Sequence, residues 1–157
     1  MFDSYFYTVH ASSETLQSGK VQARDVMPHE VKFSAPPEFG GIPGTWTPEH
    51  FLLSGVASCF VATFEAIARA SHFQFSSLSV VAEGIVAKID GRWKFTSITL
   101  NPTLAVESDE DRSRAEKLLG KTERSCIIAN SLSTPVSCSP QINAEKTVER
   151  MSGTVAH

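Results

Sequence analysis

From Phe51 to Ala68 apolar and small side chains go all the way round a helix, with no single core-facing stripe. A helix of that pattern needs cover on every side. Thr47 suits the N-cap ahead of it, because its hydroxyl can accept from a free first-turn amide, and Pro48 suits the first helical position, where no donor is required. Glu65 and Arg69, four apart, mark where the helix reaches water. Upstream, residues 4–9, 20–26 and 30–33 alternate apolar and polar positions and predict a meander of three short strands, punctuated by Ser18-Gly19 and Met27-Pro28. Residues 35–48 hold Pro36, Pro37, Gly40, Gly41, Pro43 and Gly44, which resist both helix and ladder and predict a loop.

Downstream, residues 78–89 and 92–106 are rich in Val, Ile, Thr and aromatics, and Asp90-Gly91 between them supplies the positive φ angles of a tight hairpin. Ser108 is then expected to cap a second helix whose acidic first turn, Asp109, Glu110 and Asp111, suits the positive end of the dipole. Ala115, Leu118, Leu119, Thr122 and Cys126 follow at helical spacing and place Cys126 on the inward stripe, although Gly120 costs about 1 kcal/mol relative to Ala. Residues 135–142 predict a last strand, at an edge because of its prolines, and residues 143–157 a frayed polar tail. The order of elements indicates an α+β fold with segregated helices in a single domain over residues 1–142. A sheet this small covers one side of an all-apolar helix, which implies a homodimer whose partner covers the other.

The chain has 157 residues, 14 Lys plus Arg, 17 Asp plus Glu, a net charge of −3 and 41% hydrophobic residues. That is enough apolar surface for a core without disulfides or structural metal. No basic field is available to hold a nucleic acid or an anionic bilayer. The charge-free run 51–64 is 14 residues, shorter than the roughly 20 of a membrane span. The first ten residues lack the charge and cleavage pattern of a leader, so a cytoplasmic protein with no membrane partner is expected. Three cysteines, Cys59, Cys126 and Cys138, are odd in number and widely spaced, which predicts reduced thiols.

Cys59 in the buried helix and Cys126 on the inward face of the next can point into one interior. Two readings stand: two small apolar residues in a core, or a reactive pair in which one thiolate is oxidised to a sulfenic acid and the second thiol condenses with it to a disulfide. A thiol of pKa ~8.5 is only about 3% ionised at neutral pH. Lowering it to ~6 takes roughly 3.4 kcal/mol from a cation, a dipole or hydrogen bonds. Cys59 lies too far into an unbroken helix for the dipole to act, so a nearby cation or a break near Gly55 is required. No Cys-x-x-Cys or close pair exists among His10, His29, His50, His72 and His157, which speaks against a metal site. His50 stands nine residues before Cys59 on the same helix, about 13 Å along its axis, too far for a Cys-His hydrolase. Gly40, Gly41 and Gly44 lack a following Gly-Lys-Ser/Thr and read as a turn. Cys138, flanked by serines, reads as structural.

Thr47-Pro48-Glu49-His50-Phe51-Leu52-Leu53 with Ala57-Ser58-Cys59-Phe60 resembles the family of osmotically inducible protein C and the organic hydroperoxide resistance proteins. The resemblance extends to residues 30–36, to Phe39-Gly40-Gly41, to Glu123-Arg124-Ser125-Cys126 and to Asn130-Ser131, so it covers nearly all of residues 8–142. It implies an intertwined α+β homodimer that reduces organic hydroperoxides in the oxidative stress response, with Cys59 attacking, Cys126 resolving, no bound cofactor or metal, and an external lipoyl-type or other dithiol as reductant. Glu49 matches the glutamate that orients an arginine over the attacking sulfur in the hydroperoxide-resistance branch. Gln17 stands where that arginine is usual, which leaves Arg24, Lys20 or Arg124 as substitutes, and Ile127 stands where a proline usually follows the second cysteine. The second function class is a non-enzymatic dimer of the same fold that binds an apolar small molecule, its thiols vestigial.

Overall fold

Residues 4–23 and 26–144 are described by a computed structural model. Contacts within the chain divide it into two compact units, Met1–Leu52 and Leu53–His157.

The first unit contains an antiparallel sheet in the order β1 (Val9–Ser13), β2 (Ser18–Ala23), β3 (Glu30–Ser34). The meander is as expected, but β1 lies later than residues 4–9, and Ser18-Gly19 opens β2 instead of forming a turn. Turn chemistry explains the shift. The Thr15 hydroxyl accepts from the amides of Gln17 and Ser18 and sits 2.7 Å from the Ser18 hydroxyl, while the Glu14 and Thr15 amides donate to the Ser18 carbonyl. A side-chain oxygen that satisfies backbone amides in this way favours a turn over a ladder. The reversal therefore falls at residues 14–17. The predicted loop contains a single 3-10 turn, Pro37–Phe39, and returns to β3 where the Ser34 amide donates to the Trp46 carbonyl. Trp46 stacks on Phe51 at 5.6 Å, and Phe33 meets Phe51 edge-on at 6.3 Å.

Helix α1 runs unbroken over Pro48–Ala70. Its start is as read: the Phe51 amide donates to the Thr47 carbonyl at 3.2 Å and the His50 amide to the Thr47 hydroxyl at 3.4 Å. Within one chain α1 buries a single stripe, Val56, Phe60, Phe64 and Ala68, and the rest of its apolar surface is half-buried or exposed. At 23 residues with a mean hydropathy of 1.8 in its most apolar window, it is long and apolar enough to cross a membrane by length and composition alone, beyond the 14-residue run counted from charges. Its buried stripe packs as a core helix.

In the second unit β4 (Ser77–Ile89) and β5 (Arg92–Val106) form the expected antiparallel hairpin, turned by Asp90 and Gly91 at φ 51° and 80°. Inward residues alternate as Ile98, Leu100, Pro102, Leu104 and Val106 on β5. The register shifts between Ile85 and Val86: Ile85 faces Ser97, Val86 faces Phe95, and Thr96 is the extra residue of a β-bulge.

Asp109–Asp111 form a 3-10 turn, and α2 is Arg112–Ser125. Ser108 does not cap the helix as predicted; its hydroxyl donates to the Asp111 carboxylate at 3.2 Å, an acceptor that outcompetes its role as a cap. Ala115, Leu118, Leu119 and Thr122 are buried along α2 as expected. Cys126 is buried too, but stands outside α2, extended at φ −68° and ψ 109°, before a single helical turn, α3 (Ile127–Asn130). The predicted last strand is two strands, β6 (Val136–Cys138) and β7 (Gln141–Ala144), both parallel to β5. The break includes Pro140, which has no amide for a ladder. Asn143 and Ala144 belong to β7, and the remainder of the predicted tail, residues 145–157, lies outside the described residues.

Candidate active site

Cys59 sits mid-way along α1, between the buried Val56 and Phe60, and is itself half-buried. Cys126, with no solvent exposure, lies at the junction of α2 and α3. The fold brings these two thiols close enough for each to shift the acidity of the other. Burial pushes the Cys59 thiol up, but the Ile128 amide, the Cys126 thiol, the Thr63 hydroxyl and the Ile127 amide act against it, and its pKa lies below the ordinary value. The Thr63 hydroxyl is 4.0 Å from the sulfur. Cys126 shifts the other way: burial raises it, the Ala129 amide partly opposes, and the neighbouring Cys59 sulfur raises it further. Opposite shifts in adjacent groups separate their roles, with the anion on Cys59 and the proton on Cys126.

Among the described residues no cation is one of the groups that lower the Cys59 pKa, and α1 is continuous through Gly55. Two of the four donors, the Ile128 and Ile127 amides, belong to α3, whose first turn leaves them without intrahelical partners. Side-chain reading missed Ile127 and Ile128 because their contribution is backbone. The signal available was Cys126 at the end of a helical stripe with another apolar run directly after it, a place where a new first turn offers free amides.

The other residues read from the sequence are placed as follows. Glu49 opens α1, and its Oε2 is buried without a hydrogen-bond partner. Lys20 is paired with Glu30 at 3.2 Å and Glu14 at 3.7 Å, and both raise its pKa. Gln17 lies in the β1–β2 turn. Arg124 is exposed near the end of α2, its carbonyl accepting from Asn130 at 2.9 Å. Arg24 lies outside the described residues. The His50 ring caps locally, its Nδ1 3.1 Å from the Thr47 amide. Cys138 ends β6, and burial followed by the charge of Glu123 pushes its thiol up to about 11.

A thiol whose ionisation is favoured by its neighbours, beside a second thiol that holds its proton more tightly, forms a dithiol site, able to pass between two thiols and one disulfide. The chain belongs to the OsmC family: the profile of OsmC-like protein matches residues 41–140. Over 106 residues it is 32% identical to the uncharacterized protein YmaD of Bacillus subtilis, covering 65% of this chain and 70% of that one. Its fold is similar to that of an OsmC-like protein of unknown function from Vibrio cholerae, with a TM-score of 0.76 at 19% identity over 87% of this chain and 99% of that one. It is also similar to an organic hydroperoxide resistance protein, OsmC, from Legionella pneumophila, with a TM-score of 0.70 at 20% identity over 91% and 100% of the two chains. The fold is therefore the OsmC-like α+β fold.

Proposed function

We propose that this protein is a two-cysteine peroxidase that reduces organic hydroperoxides. The observation that carries the reading is the juxtaposition of an acidified Cys59 and a protonated Cys126. The Cys59 thiolate attacks the peroxide, the O–O bond breaks, and the alkoxide takes a proton from water and leaves as the alcohol. Cys59 is then a sulfenic acid. The Cys126 sulfur displaces its hydroxyl as water, forming the Cys59–Cys126 disulfide, and an external dithiol reopens it by two exchange steps while becoming a disulfide itself. Amides that stabilise the thiolate raise its population without needing a mobile side chain.

The apolar flank of α1, with the outward Ile127 and Ile128, favours alkyl or fatty-acid hydroperoxides over hydrogen peroxide. A second copy of the chain is the natural cover for the faces of α1 that one chain leaves open. Glu49, as a positioning residue, calls for a cation at its unpartnered oxygen. A cytoplasmic location suits three thiols that must be returned to the reduced state. The test is titration of reduced protein with cumene hydroperoxide and mapping of the product. One equivalent is expected to join Cys59 to Cys126. Folded protein in which that bond never forms would overturn the peroxidase and favour the apolar-ligand dimer.

A further inference from the structure

The dithiol cycle leaves one nucleophile unused. Cys138 and Cys126 line the same cavity, of about 460 Å³, together with Phe60, Leu100, Glu123 and Arg124. Cys126 is thus approached by Cys59 and also borders a cavity shared with another thiol. The turn that follows it, α3, buries none of its four residues, and segments with little buried surface open at low free energy. Cys126, itself buried, therefore stands at the start of a segment whose local opening would let it turn between two partners. We propose that Cys138 is a third redox thiol, which takes Cys126 over from Cys59 as a Cys126–Cys138 disulfide and returns Cys59 to its thiolate. The inference rests on the hydroperoxide reading for its oxidant.

The exchange balances without a further reagent. The Cys138 thiol gives its proton to water, its sulfur attacks Cys126 Sγ, the Cys59–Cys126 bond breaks, and the electron pair leaves on Cys59. One disulfide replaces another, so the chain's oxidation state is unchanged. Cys59 is the best leaving group of the three, because its thiolate is the stabilised one. The disulfide that remains joins the two thiols whose acidity is suppressed, so the exchange runs downhill at neutral pH. Its rate is limited by ionisation: a thiol at about 11 is ionised to roughly one part in 10⁴ at pH 7. Intramolecular attack offsets this, since effective concentrations of well-oriented groups reach about 10⁵ M. The charged groups at the cavity are Arg124 and Glu123, whose charge adds to burial in raising the Cys138 thiol. The relay should accelerate about tenfold per pH unit until Cys138 is ionised.

The experiment gives reduced wild-type protein one equivalent of cumene hydroperoxide at pH 8 and at pH 9, with samples quenched in acid, alkylated and analysed for linked peptides by mass spectrometry. Cys59–Cys126 should form first and decay into Cys126–Cys138, about ten times faster at pH 9. A second equivalent should then make Cys59 reactive to dimedone in the wild type and not in Cys138→Ser. Persistence of Cys59–Cys126 with Cys138 open to alkylation at both pH values overturns the relay and leaves the peroxidase standing. Diamide treatment of folded Cys59→Ser, which needs no hydroperoxide, should join Cys126 to Cys138; failure there also overturns it. Hydroperoxide that leaves all three thiols reduced removes the function on which the relay depends, and the relay with it.

Discussion

The residues up to Leu52 and those from Leu53 onward are held together by different forces. The later unit has a core: Phe60, Phe64, Ile98, Leu100, Leu104 and Leu119 are almost fully buried. In the earlier one no large apolar side chain among the described residues is buried, and Tyr5, Phe6, Tyr7, Leu16, Met27 and Trp46 are exposed. Its three strands depend on ladder bonds, on the Thr15 turn and on the rings around Phe51. Three strands gain independent stability only with an apolar face that packs on something. The sulfur chemistry sits entirely in the unit with the packed core, where side chains are held in fixed geometry. Open apolar surface is found in both, since the later unit leaves Val81, Ile85 and Ile127 exposed while the earlier one buries no large apolar side chain among the described residues.

The sharpest way to test that division is to remove the sulfur. Cys59→Ser should lower hydroperoxide reduction by roughly 10³-fold or more and leave the melting temperature almost unchanged, read by alcohol formation and by thermal denaturation. Next in size, Phe64→Ala should cost about 3–5 kcal/mol in denaturant unfolding, whereas Phe6→Ala should cost less than about 0.5 kcal/mol in dilute solution. If the Phe6→Ala cost grows with protein concentration, a second copy covers the earlier unit; if it stays flat, that surface is free. Ile127→Pro is a finer probe, because proline is well suited to a first helical position and Cys126 already has the extended backbone that precedes one. It removes one amide from the Cys59 sulfur, so the thiolate is less favoured and alkylation by iodoacetamide near neutral pH should slow several-fold, with the rate profile displaced to higher pH.

The smallest effect concerns Cys138. Its folded pKa of about 11 stands above the ordinary 9.0, so below pH 9 both states keep the proton, and between pH 9 and 11 only the folded state does. Stability should fall across that window by about 1 kcal/mol, less than the full two-unit equivalent of ~2.7 kcal/mol because the group is half-exposed. Equilibrium unfolding of Cys138→Ser should lack that slope.

What was legible in the sequence follows the same division. The hairpin around Asp90-Gly91, the start of α1 at Thr47-Pro48 and the buried stripe of α2 were readable because local turn chemistry, capping and packing agree there. The two site thiols were readable because each lies on or beside an inward stripe. The place of β1 was not, since alternation at residues 4–9 competes with the Thr15 turn, and alternation alone does not fix register. Nor was the source of Cys59's acidity. A charged side chain leaves a mark in the sequence, whereas the groups that lower this pKa include peptide amides, which every residue except proline carries.

Thr96 constrains how this chain can vary. As the extra residue of the β5 bulge it lets odd-numbered Phe95 lie on the same side of the sheet as even-numbered Ile98 and Leu100. Deleting it would leave Ser97 opposite Ile85 and Phe95 opposite Val86 in strict alternation, whereas drawing it into the ladder as an ordinary residue would turn Lys94 and Arg92 toward the interior in place of Phe95. Loss of that one residue therefore leaves every side chain of the hairpin tip on its present face, and the tip beyond it can lengthen or shorten two residues at a time without disturbing anything beneath.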